Sequence, residues 1–238
     1  YIVGGIMGLG LLVLRVGVFE SAMFRKLAAP PRDRGNFFRL FTEKRRAIKY
    51  VSIIVLGLPI WFTVSILMGL SPEIGKAMGM SEAPDPGRAV LFCYIGLAIS
   101  DVASGIISAA LKSRKKTVFG FLAVTLAAMS AYFFVRPEHV SSFYGICFAL
   151  GIGCGYWAMF VTIAAEQFGT NLRATATTTV PNFVRGAVTL LTLIFQAAKP
   201  TLGVVGSAET VGYTTLAVAF VAALLLEETY DKDLDYVE

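Results

Sequence analysis

The sequence predicts an all-α, polytopic membrane protein, and three observations lead to that class. Of its 238 residues, 56% are hydrophobic and only 16% are charged, whereas about a quarter of the residues in a soluble domain are charged. Uncharged apolar runs of bilayer length alternate with short loops, and the basic residues concentrate in every second loop. A chain of this composition cannot cover its own surface with polar groups, so lipid must cover it.

The apolar runs set the number of predicted membrane-spanning helices. A spanning helix requires about 20 apolar residues, and lipid excludes open sheets. The sequence therefore predicts one truncated helix, residues 1–14, followed by six complete spans. These spans cover residues 50–72, 89–111, 117–135, 140–165, 186–198 with an extension back toward Ala174, and 210–226. The chain begins inside an apolar run without a charged leader region, so we expect further residues upstream.

The loops predict the orientation, because short loops rich in Lys and Arg stay in the cytoplasm. Residues 25–49, 112–116 and 167–173 form the basic, cytoplasmic side, and the loops between them are poor in basic residues. The net charge of +5 is explained by these loops next to lipid headgroups, and no nucleic-acid partner is expected. The tail, 227–238, is acidic and is expected to be cytoplasmic and disordered.

The chain divides into four predicted parts. Residues 1–19 form the truncated last helix of an N-terminal half, and residues 20–49 form a basic cytoplasmic linker between halves. Residues 50–228 form a C-terminal six-helix transmembrane bundle, and residues 229–238 form the acidic tail. This arrangement is typical of the middle of a transporter built from two six-helix halves.

Four short motifs stand at the ends of the predicted helices. Residues 15–24 read Arg-Val-Gly-Val-Phe-Glu-Ser-Ala-Met-Phe, and residues 108–116 read Ser-Ala-Ala-Leu-Lys-Ser-Arg-Lys-Lys. Residues 166–173 read Glu-Gln-Phe-Gly-Thr-Asn-Leu-Arg, and residues 182–186 read Asn-Phe-Val-Arg-Gly. These motifs are distributed along nearly the whole chain.

In this order, the motifs resemble those of the sugar and metabolite porters of the major facilitator superfamily. Those motifs are Arg-x-x-x-Pro-Glu-Ser-Pro, Gly-x-x-x-Asp-Arg-x-Gly-Arg-Arg, Glu-x-Phe-Pro-Thr-x-x-Arg and Asn-x-x-Arg-Gly. The chain departs from them at several positions. Phe19 and Ala22 replace the two prolines, Ser108 replaces the glycine, Lys112-Ser113 replaces the Asp-Arg pair, and Gly169 replaces the third proline.

The resemblance implies the C-terminal six-helix bundle of a major facilitator fold plus one preceding helix. It implies secondary active transport of a small polar metabolite, a sugar or an organic acid, by alternating access and with proton symport. The expected location is a bacterial inner membrane. The expected partners are the lipid bilayer, the small-molecule substrate, protons and the missing N-terminal half. Two alternative functions are a multidrug exporter of the same fold and a non-transporting membrane receptor or scaffold.

Five charged residues are candidates for coupling or gating. Asp101 lies deep within a predicted span, where it is either a proton-titrating or gating carboxylate or a structural acid satisfied by a neighbouring helix end or hydroxyl. The resemblance implies that Glu166 belongs to a cytoplasmic charge network and pairs with Arg114 or Arg173. Arg185 either joins that network or, a turn or so inside its helix, extends to the cytoplasmic headgroups.

Aromatic and polar side chains within the spans are candidate substrate contacts, since binding sites combine flat apolar surfaces with a few hydrogen-bonding groups. The alternative is that each of them only packs between helices. The resemblance places their helices around a central cavity. The predicted contacts are Trp61, Ser65, Tyr156, Trp157 and Gln196.

No residue pattern indicates an enzyme, a cofactor or a metal. The single histidine, His139, lies in a predicted outer loop, and no Ser/His/Asp grouping is present. Cys93, Cys147 and Cys154 all lie within apolar helices, where they are expected to pack as small apolar side chains. Gly151 and Gly155 form a small-xxx-small pair that is expected to allow close helix packing.

Overall fold

The structure, a computed structural model, describes residues 2–16, 35–135 and 139–236, and this part of the chain is helical without strands. Residues 17–24 of the first motif and residues 20–34 of the linker lie outside the described residues. The helices are α1 (Ile2–Val16), α2 (Lys44–Phe62), α3 (Ser71–Ala77), α4 (Pro86–Leu111), α5 (Arg114–Phe134), α6 (Val140–Cys154), α7 (Trp157–Glu166) and α8 (Thr170–Leu225).

The predicted class of multi-pass membrane protein is confirmed at this level. Among the described residues, five helical segments are long and apolar enough to cross a membrane: Lys44–Met68, Pro86–Leu111, Arg114–Phe134, Val140–Glu166 and Thr170–Leu225. The helix at the start of the chain, Ile2–Arg15, is shorter and apolar. Its side chains are exposed, which suits a surface that lipid or further protein covers.

The longest helix, α8, folds back on itself, so the loop predicted at 199–209 is largely helical. Gly203 has φ 70° and ψ 177°, a left-handed conformation that favours glycine, and it divides α8 into arms 170–202 and 204–225. The two ends of α8 lie together, because the Gln167 side chain donates to the Glu227 carbonyl at 2.8 Å. At the opposite end, Lys199 pairs with Glu73 at 2.5 Å.

The helix α2 changes its winding just after a proline. Pro59 lies inside α2, and a π-helix follows at Thr63–Met68. A π-turn is wider than an α-turn and redirects backbone carbonyls. Two buried tyrosines hydrogen-bond to carbonyls of this segment: Tyr156 to Leu56 at 2.9 Å and Tyr132 to Leu67 at 3.0 Å. Their bonds satisfy backbone groups that lipid could not.

The span predicted at 140–165 is broken into two helices, α6 and α7, at Gly155-Tyr156. Gly155 lies so close to α4 that a Cβ atom there would be 1.6 Å from Ser100 Oγ. One turn earlier, a Cβ atom on Gly151 would be 2.0 Å from the Cys93 carbonyl oxygen. The small-residue pair therefore allows the close helix approach that the sequence predicted, and the same approach leaves no room for a side chain at the break.

Candidate functional site

The predicted site residues fall into two separate groups. Arg114, Glu166 and Arg173 lie at the end of the bundle that carries the basic loop 112–116, which we call the basic end. Trp61, Trp157 and Arg185 contact one another, and we call them the indole cluster. The other predicted residues, Ser65, Asp101, Tyr156 and Gln196, belong to neither group.

The ion pair between Arg114 and Glu166 is the centre of the basic end. The Arg114 guanidinium donates to both carboxylate oxygens of Glu166, from Nη2 at 2.9 Å and from Nε at 3.3 Å. Its third nitrogen donates to Ser108 Oγ at 2.9 Å. The two ionised side chains are only 21% and 11% exposed. Of the two partners predicted for Glu166, the structure therefore selects Arg114.

Local backbone geometry places Arg114 at this position. Lys112 ends α4 in the left-handed conformation, with φ 48°. Ser113 then starts α5, because its hydroxyl oxygen accepts a hydrogen bond from the Lys116 amide, as a helix N-cap does. This tight turn makes Arg114 the first residue of α5, next to Glu166 at the last residue of α7.

The acidic tail binds this network, which contradicts its predicted disorder. Glu228 accepts hydrogen bonds from the Ser113 hydroxyl and from the amides of Arg114 at 2.8 Å and Lys115 at 3.3 Å. Thr229 donates to Glu166 Oε2 at 2.6 Å, and the Tyr230 ring lies 5.4 Å from the Arg114 guanidinium. The N-terminus of α5 is a favourable place for a carboxylate, and this compensates for ordering the segment.

The two tail glutamates are held ionised by these contacts. Burial raises the pKa of Glu228, but hydrogen bonds from Ser113 and from backbone amides outweigh it and lower the pKa to about 2. The Arg45 hydrogen bond is the main cause that lowers the pKa of Glu227, and Lys49 adds to it at 3.3 Å. Both glutamates thus act as anions that attach the tail to the basic end.

Arg173 fixes the tail without pairing with Glu166. Its guanidinium donates to the carbonyl of Ala165 at 3.0 Å and to the carbonyl of Leu234 at 2.5 Å. The amide of Thr170 donates to the Tyr236 carbonyl at 2.8 Å. Sequence reasoning missed the tail as a member of this network. The available signal was the pair of glutamates directly after the last apolar helix, opposite in charge to residues 112–116.

The contacts of Arg185 are to Trp61, Trp157 and Asn182, and none of them joins it to the basic-end network; its extension to the headgroups stays a prediction. Its helix begins at Thr170, so Arg185 lies roughly four turns inside α8. In the polar stretch before it, threonine hydroxyls donate hydrogen bonds to carbonyls of the preceding turn: Thr177 to Arg173 at 2.9 Å and Thr179 to Thr175 at 2.7 Å. Such bonds satisfy hydroxyls at membrane depth.

The indole cluster holds the Arg185 side chain. The guanidinium lies 5.3 Å from the ring centroid of Trp61 and 5.5 Å from that of Trp157, within the range of a cation–π contact. The two indoles contact each other edge to face at 5.9 Å. Three helices, α2, α7 and α8, therefore bring two predicted substrate contacts and one predicted coupling residue together. These three residues are not neighbours in the sequence.

Asp101 contacts a helix end. Its Oδ1 atom accepts a hydrogen bond at 3.0 Å from the amide of Ala158, in the first turn of α7. A carboxylate at this place satisfies an otherwise free backbone donor and favours the helix dipole. The contact agrees with the structural interpretation of Asp101. Its proposed role in proton coupling stays a prediction.

The other predicted substrate contacts are placed differently. Tyr156 is completely buried, and its hydroxyl donates to Leu56, so it packs between helices and is closed to a ligand in this conformation. Ser65 is half-buried in the π-helical segment, and Gln196 is exposed on the first arm of α8. The three cysteines are free thiols and are fully buried.

An apolar groove lies elsewhere, between α4 and α5. It has a volume of about 350 Å³ and contains none of the predicted substrate contacts. Ile99, Ala103 and Gly120 line it, and Lys116 lies at its rim. Its lining is apolar and it opens to the outside of the bundle, so a lipid chain would fill it in a membrane. We do not assign a substrate to it.

Among the described residues, one charged network lies at the basic end, and Asp101 and Arg185 lie within membrane-length helices. In the part of the chain that the structure describes, no group of three or more His, Cys, Asp or Glu side chains could hold a metal ion. Comparison with models of known protein families gives no match for this chain, and a search of curated proteins also gives none.

Proposed function

We propose that this chain forms one wall of a secondary active transporter, which moves a small polar metabolite across the membrane by alternating access coupled to protons. A sugar and an organic acid are the two substrate classes under this proposal. The observation that carries it is the position of Arg185, which is exposed roughly four turns inside a membrane-length helix.

The cost of a charge in the bilayer indicates what covers this face. A charged side chain at the bilayer centre costs at least about 2.5–3.5 kcal/mol, and such residues face protein or a water-filled cavity. Gln196, three turns further along the same side of α8, is also exposed. By contrast, α4 exposes a purely apolar stripe, which suits lipid. The face with Arg185 and Gln196 is thus the one suited to a polar cavity.

The basic-end network supports the conformational part of the proposal. The Arg114–Glu166 pair and Thr229 connect the start of α5, the end of α7 and the tail. Opening the cavity at this end requires these elements to separate, which would break hydrogen bonds between partly buried charges. A network of this kind biases an equilibrium between two states. The inward-open state would then form when the Glu166 contacts are released.

The alternative functions make different demands on the same residues. An exporter of hydrophobic cations would use the indole faces of Trp61 and Trp157, but Arg185 already lies on both rings and would repel a second cation. A receptor or scaffold of the same fold would bind its ligand without moving it. Counterflow of a solute in proteoliposomes distinguishes that function from transport.

Cysteine accessibility tests whether this face is wet and whether access alternates. Gln196→Cys is compared with Val102→Cys on the apolar stripe of α4, where the native valine is 68% exposed. Both variants are reconstituted in proteoliposomes and treated with MTSES, an anionic thiol reagent that does not cross membranes. The native protein is the blank, because its three cysteines are fully buried.

We expect Gln196→Cys to react and Val102→Cys to remain unmodified. The side of the membrane from which Gln196→Cys reacts should change when a proton gradient is imposed. If Gln196→Cys reacts no faster than Val102→Cys, the face is dry and the transport proposal is wrong. Reaction from one side only under every gradient, together with an absence of counterflow, would support the receptor or scaffold function instead.

A further inference from the structure

The indole cluster contains both tryptophans of the chain. Trp61 and Trp157 contact each other, and the Arg185 guanidinium lies on both. Trp157 also stacks on the buried ring of Phe160, with centroids 4.9 Å apart. The cluster is therefore a supported aromatic surface that fixes one cation in place.

The positive charge of this cluster is not neutralised by the part of the chain that the structure describes. The polar contact of Arg185 is to Asn182 Oδ1 at 3.4 Å, and no described carboxylate lies within salt-bridge distance of it. Asp101, the acid that lies within a span, accepts a hydrogen bond from the Ala158 amide through its Oδ1 atom and forms no ion pair with Arg185. Arg185 is exposed on its face of α8, so its guanidinium is accessible to a bound anion that would neutralise the charge.

The hydrogen-bonding groups of the cluster are donors. The Arg185 guanidinium has five N–H groups and its one side-chain hydrogen bond is to Asn182, so other N–H groups are available to the two oxygens of a carboxylate or phosphate. The indole nitrogen of Trp61 is also a donor, buried and without a hydrogen-bond partner in the described part of the chain, so its bond to an anion requires the Trp61 side chain to move. Because the indole N–H can only donate, it fits an acceptor as well.

We propose that Arg185, Trp61 and Trp157 form an anion-binding site that takes the carboxylate or phosphate group of a small organic anion. The inference rests on the proposed function for its cavity and narrows the substrate class to organic acids. A sugar presents hydroxyl groups that both donate and accept hydrogen bonds, and the cluster offers it no open acceptor. The charged end of an anion fits Arg185, and its carbon skeleton fits the indole faces.

Tryptophan fluorescence reads this site directly, since each tryptophan of the chain belongs to it. The full chain is purified in nanodiscs, and quenching by iodide is measured beside quenching by the neutral molecule acrylamide. The probes are succinate and inorganic phosphate, with uncharged succinamide as the matched control. We expect succinate or phosphate to protect the tryptophans from iodide, and succinamide to have no effect.

Substitutions at Arg185 and Trp61, with one at Arg88 as the control, identify the residues responsible. Arg185→Gln should weaken anion protection by about tenfold or more, the loss expected for one charge-assisted bidentate contact. Trp61→Phe keeps the ring but removes the indole N–H, and should weaken it by about fivefold. Arg88→Gln removes an exposed arginine of α4 and should change nothing. Unchanged acrylamide quenching shows that a variant is folded. If Arg185→Gln is not folded, Arg185→Lys, which keeps the charge, is measured instead.

The outcomes separate this inference from the proposed function. Equal effects of succinate and succinamide on the native protein, or full protection by succinate in Arg185→Gln, would overturn the anion site. Transport of an uncharged solute with no anion protection would overturn it while leaving the transporter in place. Anion protection that depends on Arg185, in a protein that shows no counterflow, would support the site and contradict the transporter.

Discussion

Replacing Glu166 by Gln tests whether the basic-end network stabilises this conformation. Glu166 accepts hydrogen bonds from Arg114 Nη2 at 2.9 Å, from Arg114 Nε at 3.3 Å and from Thr229 Oγ1 at 2.6 Å. Glutamine has nearly the same shape but no charge, and its amide group offers one acceptor oxygen instead of two. The variant therefore removes the two-oxygen contact with Arg114 and leaves that guanidinium without a counterion.

The exposure of the pair sets the magnitude. An exposed ion pair contributes about 0–1 kcal/mol, whereas removal of one partner from a fully buried pair costs about 3–5 kcal/mol. The Glu166 and Arg114 side chains are 11% and 21% exposed, which lies between these limits and nearer the buried one. Because glutamine retains a neutral hydrogen bond, we expect Glu166→Gln to lower the free energy of unfolding by about 2 kcal/mol.

A matched control is available in the same chain. Glu43 pairs with Arg46 at 3.1 Å, but its side chain is 65% exposed. Glu43→Gln should therefore cost no more than about 0.5 kcal/mol. Both variants are unfolded by titration with SDS in mixed micelles and followed by circular dichroism. If they differ by less than about 0.5 kcal/mol, the Arg114–Glu166 pair behaves as a solvated surface pair and our reasoning on burial is wrong.

The same substitution has a conformational readout. Ser108 is completely buried and accepts a hydrogen bond from Arg114. A cysteine introduced at Ser108 should react slowly with a thiol reagent while the network is closed. Adding Glu166→Gln to that variant should increase its reactivity from the basic end, because the open state becomes less costly. An unchanged labelling rate would contradict a gating role for Glu166.

Three further predictions concern the tail, the helix break and the buried acid. The folded-state pKa of Glu228 is about 2, below its ordinary value of 4.5, so its contribution to stability is fully present above pH 4.5 and is lost as the pH falls toward 2. In Glu228→Gln, the unfolding midpoint should therefore depend less on pH between 4.5 and 2. An unchanged pH dependence would contradict the tail contact. Gly155→Ala should destabilise the protein by about 3 kcal/mol because its Cβ atom would lie 1.6 Å from Ser100 Oγ. Gly105 has open space around it, so Gly105→Ala should be tolerated. Equal thermal stability of the two variants would contradict the close packing at Gly155. Asp101→Ala should cost about 1 kcal/mol as the loss of a helix cap, and Asp101→Asn less; loss of pH-dependent transport in Asp101→Asn would show that the carboxyl also carries the coupling proton.

The sequence alone determined the class of protein and most of the helices. Apolar runs such as 117–135 and basic loops such as 112–116 act locally, since a bilayer requires continuous apolar length and tolerates few charges within it. Both requirements can therefore be recognised directly in the sequence. The ion pair of Glu166 with Arg114 was also predicted, but from motif resemblance and as one of two alternatives. The family and the transport function stay predictions.

Only the tertiary structure decided which residues meet. Arg185 joins Trp61 and Trp157 because α2, α7 and α8 pack side by side, and no spacing in the sequence encodes that contact. Asp101 bonds to a backbone amide that is free only because the span breaks at Gly155, and the break follows from how closely α4 approaches. The tail is ordered by anion contacts at the start of α5. Local composition predicted disorder there because it shows the negative charge of the tail but not the hydrogen-bond donors that the fold brings next to it.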